Sequence, residues 1–306
     1  MPYTATRPRL YFTDRGTGEP LLCITGFAAS SAVYESLGPL YESRFRFIAY
    51  DHPGSGRSAK LAMPTSMAQL AAHSARILDE LEIEAAHVLG ASLGGLVAQE
   101  LALRFPHRVR GLVLVGTASS GPLAVPPPLG GLARATASVV ADSVRRRRLW
   151  LGRAMFADEF ATRHEADPIV NSLTKYLPSP WALCGQVLAF ATHDRDRDLG
   201  RISAPTLVLH GERDLLVSVA NTHRLATRIP NAVLHVVPGA GHGCLIEQPE
   251  LVFEALCEWI DRQGPVAPAA RPAGLAALAE RITRQAALPI GAWRVQRSAL
   301  ARLRRR

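Results

Sequence analysis

The chain has little of what marks a secreted, metal-stapled or membrane-spanning protein. Its 306 residues hold only four cysteines, Cys23, Cys184, Cys244 and Cys257. They are scattered, with neither the close pairing of a zinc site nor the array of a disulfide framework. Reduced thiols in a cytoplasmic protein fit this usage, and no metal or other cofactor is expected. No apolar run approaches the ~20 residues of a membrane span. Residues 1–12 lack the apolar stretch of a secretory signal. Acidic residues are nearly missing from 263–306, where nine arginines face a single acid, Glu280. That segment carries +8 of the formal net charge of +9, so the remaining body is almost neutral. A basic protein invites a nucleic-acid reading, but here the basic signal belongs to a tail, and no nucleic-acid partner is expected.

What is present is ordinary for a globular protein: 48% of residues are apolar and 20% charged. The length suits one large α/β domain with an insertion, or two small domains. Residues 10–12, 21–24, 45–50, 86–89, 109–115, 206–210 and 233–237 read as strands. Most are short continuous apolar runs, as expected for strands covered on both faces. Residues 67–81, 93–105, 219–229 and 251–260 carry apolar residues at helical spacing. Alternating strand and helix predicts a doubly wound, mostly parallel sheet. The alternation breaks over 119–199, which opens with Pro126-Pro127-Pro128 and contains the run Arg145 to Arg148. This stretch reads as a helical cap inserted over the sheet, between core segments 1–118 and 200–262. The arginine run reads as a solvated helix face.

Chemistry concentrates at Gly90-Ala91-Ser92-Leu93-Gly94, a Gly-x-Ser-x-Gly pattern between a strand and a helix. A strand that turns so sharply into a helix strains the serine backbone and exposes its hydroxyl. The residues two before and two after the serine meet across the turn, so both must be glycine-like. The helix N-terminus beneath the serine favours developing negative charge.

A serine hydroxyl needs a base, and the base needs a carboxylate to fix its tautomer. Of the ten histidines, His242 is the candidate base, because the Gly-rich loop Pro238 to Gly243 can carry it over the sheet edge. Asp214 is the candidate carboxylate, lying after the strand 206–210 and between serine and histidine in chain order, with Glu212 as the alternative. Three residues following three strands share the edge where doubly wound sheets bind ligands. Two backbone N–H groups should receive the oxyanion. Leu93 follows the nucleophile, and Phe27 lies in the loop Thr25-Gly26-Phe27. Cys244 is near the site but is not read as a nucleophile.

Over residues 10–260 the chain resembles the α/β-hydrolase superfamily, of the serine esterase and lactonase kind. The resemblance rests on the elbow with Gly94-Gly95, on Asp51-His52-Pro53-Gly54-Ser55-Gly56-Arg57-Ser58, on Pro205 to Gly211 and on Gly239-Ala240-Gly241-His242. It implies an α/β-hydrolase fold and a mainly structural part for the Asp51 segment. One departure is notable: many members have His-Gly where this chain has Thr25-Gly26, and a threonine cannot brace the loop as that histidine does.

Relatives in this superfamily that form alkyl-ester intermediates carry aspartate at the elbow, so Ser92 points instead to acyl transfer. The expected substrate is a small to medium apolar carboxylic ester or lactone. C–C bond hydrolysis, thioester hydrolysis, perhydrolysis or lyase chemistry on the same triad is the alternative, and a ligand-binding protein without catalysis is a further one. Phe27, Leu93, Trp150, Phe156, Trp181 and Phe190 are candidates to line the pocket, against core packing of the cap aromatics. In the tail, residues 291–306 place Trp293, Val295, Ala299, Leu300 and Leu303 opposite most of the arginines. A basic amphipathic helix of this kind can lie on an anionic membrane surface; a solvated extension or a helix docked on the body is the alternative.

Overall fold

A computed structural model describes residues 2–60, 65–121, 124–140, 143–164 and 171–264. Seven strands form one sheet: β1 Phe12–Arg15, β2 Glu19–Ile24, β3 Phe45–Tyr50, β4 Ala86–Ala91, β5 Val109–Val115, β6 Thr206–Gly211 and β7 Ala232–Val237. Their order is β1-β3-β2-β4-β5-β6-β7. β1 runs antiparallel to β3, and every other neighbouring pair is parallel. The expected doubly wound sheet is therefore present. Its first strand starts later than the apolar run at 10–12 suggests. Leu10 is buried in the core, while pairing with β3 continues through Thr13, Asp14 and Arg15 at an edge that tolerates polar side chains.

Burial on both faces explains the uninterrupted apolar strands. In β4, Val88 packs into one cluster with α2 (Met67–Glu80) and α3 (Leu93–Arg104). Its neighbour Leu89 faces the opposite cluster, with Tyr41 of α1 (Gly38–Glu42). Successive strand residues point to opposite sides, so a strand in this position has no solvent face to supply polar residues. Truncating such a side chain to alanine costs about 2–5 kcal/mol. α2 starts where the sequence provides a reciprocal cap: Ser66 Oγ accepts from Gln69 N–H, and the Gln69 side chain accepts from Ser66 N–H.

Between β5 and β6 lie α4 (Leu129–Val140), α5 (Val144–Met155), α6 (Asp158–Arg163) and α7 (Pro180–Thr192), with no strand of the sheet among the described residues there. The two ends of this stretch are tied together. Ser120 bridges Asp194, and Ser119 Oγ donates to Asp196 Oδ1 at 2.8 Å. Asp196 in turn takes Arg224 and Arg228 of α8 (Val219–Arg228). In the arginine run, Arg145 and Arg146 are exposed, while Arg148 Nε donates to Thr174 Oγ1 at 2.8 Å. After β7 come α9 (Cys244–Glu247) and α10 (Pro249–Gln263). The basic tail expected at 263–306, and the membrane-surface expectation with it, lies outside the described residues beyond Gly264. Among the described residues no helix is long and apolar enough to cross a membrane.

Candidate active site

Ser92 occupies the single residue between β4 and α3, with φ 54° and ψ −120°. A side-chain-bearing residue at positive φ is strained by about 1–2 kcal/mol, so its surroundings must hold it there. They do so through both backbone groups. Ser92 N–H donates to Val115 O at 2.8 Å, and Ser92 O accepts from Thr117 Oγ1 at 2.7 Å and from Gly95 N–H at 2.9 Å. The flanking glycines are required by contact. A Cβ on Gly90 would lie 2.4 Å from Gly94 O, and one on Gly94 would lie 2.2 Å from Ile24 O. Leu93 is the first helical residue of α3, where a backbone N–H has no intrahelical acceptor.

The loop after β6 brings Asp214 to the same edge of the sheet. Its Oδ1 accepts from Leu216 N–H at 2.7 Å and Val217 N–H at 2.9 Å, and its Oδ2 lies 2.7 Å from His242 Nδ1. Both side chains are buried. Burial disfavours the charge of Asp214, but His242, by charge and hydrogen bond, holds the carboxyl below its usual range. Burial likewise opposes a charge on His242, yet Asp214 outweighs it and raises the imidazole above its ordinary value. A histidine held this way keeps its proton on Nδ1 and presents Nε2 as a base. Gly116, at φ 53°, leaves the room the ring needs: a Cβ there would lie 3.2 Å from His242 Cε1. Glu212, the alternative acid, turns away and accepts from Gly239 N–H at 2.8 Å. Burial pushes the Cys244 thiol up to about 12, which keeps it neutral.

Two partners of this pair are absent from the sequence reading. His210 Nε2 stands 3.7 Å from Asp214 Oδ2, and its Nδ1 meets Thr222 Oγ1 at 2.6 Å. His210 lies near the end of β6, and only its approach to the acid across the turn after β6 reveals the contact. Glu247 accepts from Gly241 N–H at 2.7 Å through Oε1 and from Ala157 N–H at 3.0 Å through Oε2. It thus joins the histidine loop to the start of α6. No local sequence signal marks it.

The loop after β2 lies against the serine, since a Cβ on Gly26 would be 3.2 Å from Ser92 Cβ. Thr25 leaves its own hydroxyl buried without a hydrogen-bond partner among the described residues. The loop is braced from elsewhere. His52 Nε2 meets Thr25 O at 3.3 Å, Tyr34 Oη donates to Ile24 O at 3.1 Å, and Ala28 N–H donates to Gln186 Oε1 at 2.8 Å. Burial pushes the His52 imidazole down to about 4, so it is neutral and donates through Nε2. The Asp51 carboxylate is fully engaged by Ser31 and Arg57, as a structural residue would be.

The candidate pocket aromatics separate. Phe156 is buried, with its ring over Gly243, where a Cβ would lie 2.2 Å from Phe156 Cε1. Trp150 is partly buried, whereas Phe27, Trp181 and Phe190 are exposed, so Trp181 and Phe190 do not pack in a core. α7 has no charged residue along its length, and it presents Trp181, Val187, Leu188 and Phe190 to solvent.

Comparison with known proteins agrees with this architecture. The family model described as alpha/beta hydrolase fold matches residues 19–249. A protein of Caulobacter sp. (strain K31) named "Putative carbamate hydrolase RutD" is 34% identical over 252 residues, covering 81% of this chain and 91% of that protein. A 2-hydroxy-6-oxononadienedioate/2-hydroxy-6-oxononatrienedioate hydrolase of Comamonas testosteroni is 28% identical over 245 residues, covering 76% and 85%. Among solved structures, a thermophilic esterase from Thermogutta terrifontis superposes with a TM-score of 0.70 at 26% identity, covering 85% of this chain and 96% of that one. The strand order, the strained serine between β4 and α3 and the match across residues 19–249 lead to one assignment: the chain belongs to the alpha/beta hydrolase fold family.

Proposed function

We propose that the protein is a serine hydrolase that cleaves a small to medium apolar carboxylic ester or lactone through an acyl-enzyme. The observation that carries this reading is the strained Ser92 at the head of α3, on the same sheet edge as a buried Asp214–His242 pair 2.7 Å apart. His242 Nε2 takes the proton of Ser92 Oγ as Oγ bonds to the substrate carbonyl carbon. The carbonyl oxygen becomes an oxyanion, which the N–H groups of Phe27 and Leu93 receive. His242 then gives its proton to the departing alkoxide, leaving Ser92 acylated. Water, deprotonated by His242, attacks the acyl carbon; the bond to Ser92 Oγ breaks, Oγ takes the proton back from His242, and the carboxylic acid leaves. Asp214 stays ionised and stabilises the imidazolium. The uncharged α7 and its exposed aromatics favour an apolar acyl or alcohol group.

The RutD relatives favour a second reading, in which the same residues attack a carbamate carbonyl. The chemistry of acylation is shared and the leaving group differs. A panel of p-nitrophenyl esters, lactones and carbamates, run with the unaltered protein and with Ser92→Ala, tests both. Turnover of esters or lactones that Ser92→Ala abolishes is the expected result. Turnover that survives the substitution contradicts the nucleophile, and exclusive turnover of carbamates selects the second reading.

A further inference from the structure

Gln186 is a buried polar residue in a helix whose other side chains make no polar contact with the sheet strands or their loops among the described residues. It is 2% exposed, and both ends of its amide leave α7 for the main body. Oε1 accepts from Ala28 N–H at 2.8 Å, and Nε2 donates to Ser55 Oγ at 3.1 Å. A backbone N–H can only donate, so the amide orientation follows from its partners. Ser55 is itself fixed, with its N–H on His52 O at 2.9 Å. The start of α7 also grips this segment, through Ser179 N–H to Gly54 O at 2.9 Å.

What Gln186 holds is a strained turn. Ala29 N–H donates to Gly26 O at 3.4 Å, closing the four residues Gly26 to Ala29. The third of these, Ala28, stands at φ 56°. An alanine prefers negative φ, and the relaxed form of such a turn has the central peptide, Phe27–Ala28, flipped over. In the flipped form the Phe27 carbonyl oxygen would replace the Ala28 N–H and face Gln186 Oε1, oxygen against oxygen. With its amide as placed, Gln186 accepts a hydrogen bond from the strained form, and the flipped form would require the amide to turn over and Ser55 Oγ to become the donor. Thr25 stands where a bracing histidine is common, and its hydroxyl has no partner among the described residues; His52 reaches Thr25 O but not the Phe27–Ala28 peptide.

We propose that Gln186 is a positioning residue for the oxyanion loop: a side chain from the helical insertion that locks the Phe27–Ala28 peptide and thereby holds the turn whose first peptide, Gly26–Phe27, carries the Phe27 N–H. This rests on the reading of Phe27 and Leu93 as oxyanion donors. It makes the loop's competence depend on α7 being seated.

The test is Gln186→Met, which removes both hydrogen bonds with little change in volume. An interaction expressed in the transition state lowers kcat with little change in KM. The expected loss in kcat is on the order of 10- to 100-fold, with KM within about 2-fold. A trifluoromethyl ketone, which adds to a catalytic serine as an oxyanion-bearing hemiketal, should weaken by the same factor as kcat/KM falls. Ser55→Ala, which removes only the anchor of Nε2, should move both quantities in the same direction by less, and it carries the test if Gln186→Met does not fold. Unchanged kcat and ketone affinity in a folded variant, or a rise in KM alone, overturns the proposal. The unaltered protein separates the two levels of the argument. If it turns over substrate and is labelled at Ser92 by a fluorophosphonate while Gln186→Met behaves identically, only the positioning role falls. If it shows neither turnover nor labelling, the serine-hydrolase reading falls and takes the positioning role with it.

Discussion

Asp214 Oδ2 lies 2.7 Å from His242 Nδ1, and the other oxygen of the same carboxylate is occupied by two backbone N–H groups. The acid is thus fixed by its own loop before it meets the histidine. Asp214→Asn should preserve the fold and lower kcat by roughly 10³- to 10⁴-fold, because an amide can stabilise the wrong tautomer and cannot compensate an imidazolium. Steady-state kinetics with a p-nitrophenyl ester measure this. A loss below 10-fold would remove Asp214 from the catalytic account.

The pH dependence follows from the same contact. The groups facing His242 are Asp214, His210 and Glu247, with the neutral Cys244 thiol beside them. Asp214 raises the imidazole above its ordinary value, and the base must be neutral to act. kcat/KM should therefore fall as pH drops, with its acid limb above the ordinary imidazole range. In Asp214→Asn that limb should move to lower pH, since the raising charge is gone and burial remains. A pH–rate profile flat down to pH ~4 would exclude histidine as the base.

Ser92 trades stability for its position. At φ 54° a glycine has no Cβ to strain. Ser92→Gly should abolish hydrolysis and yet stabilise the protein by about 1 kcal/mol, read as a rise in the unfolding midpoint. A fall in stability would mean that the serine side chain contributes contacts that the strain argument omits.

Gly94 tests the elbow from the other side. A methyl group there would meet Ile24 O at 2.2 Å, backbone that cannot step aside without moving β2. Gly94→Ala should destabilise by about 1–3 kcal/mol and reduce kcat, since β2 leads directly into the loop bearing Phe27. Wild-type stability in this variant would contradict the packing of α3 against β2.

Glu247 links the histidine loop to the helical insertion through Gly241 N–H and Ala157 N–H. Glu247→Ala should cost about 1.5–3 kcal/mol of stability, the usual range for hydrogen bonds to a charged group. It should also lower kcat more than it raises KM, because the loop it anchors carries His242. Denaturant unfolding and kinetics on the same preparation check both effects.

The sheet was legible in the sequence because its strands are covered on both faces and so read as unbroken apolar runs, as Val88 and Leu89 illustrate. The edge strand was less legible, since Thr13, Asp14 and Arg15 can face solvent there. Ser92, Asp214 and His242 could be picked out because each is bracketed by glycines or a turn that the local geometry demands. Gln186, Glu247, His210 and Thr117 could not. Gln186, Glu247 and Thr117 act through partners far along the chain, 158 residues in the case of Gln186 and Ala28, while His210 meets Asp214 only because the turn after β6 brings them together. The exposure of Trp181 and Phe190 was hidden for a related reason. An apolar helix in a sequence does not say whether its second face meets protein, substrate or solvent.

Fluorophosphonate labelling followed by peptide mapping tests the central claim most directly, because the probe phosphonylates a serine activated by its base and oxyanion donors, with loss of fluoride. The account predicts stoichiometric modification at Ser92, loss of ester hydrolysis in parallel with labelling, and no labelling of Ser92→Ala or after unfolding. Modification at another residue, or hydrolysis that persists with Ser92 fully labelled, would contradict it.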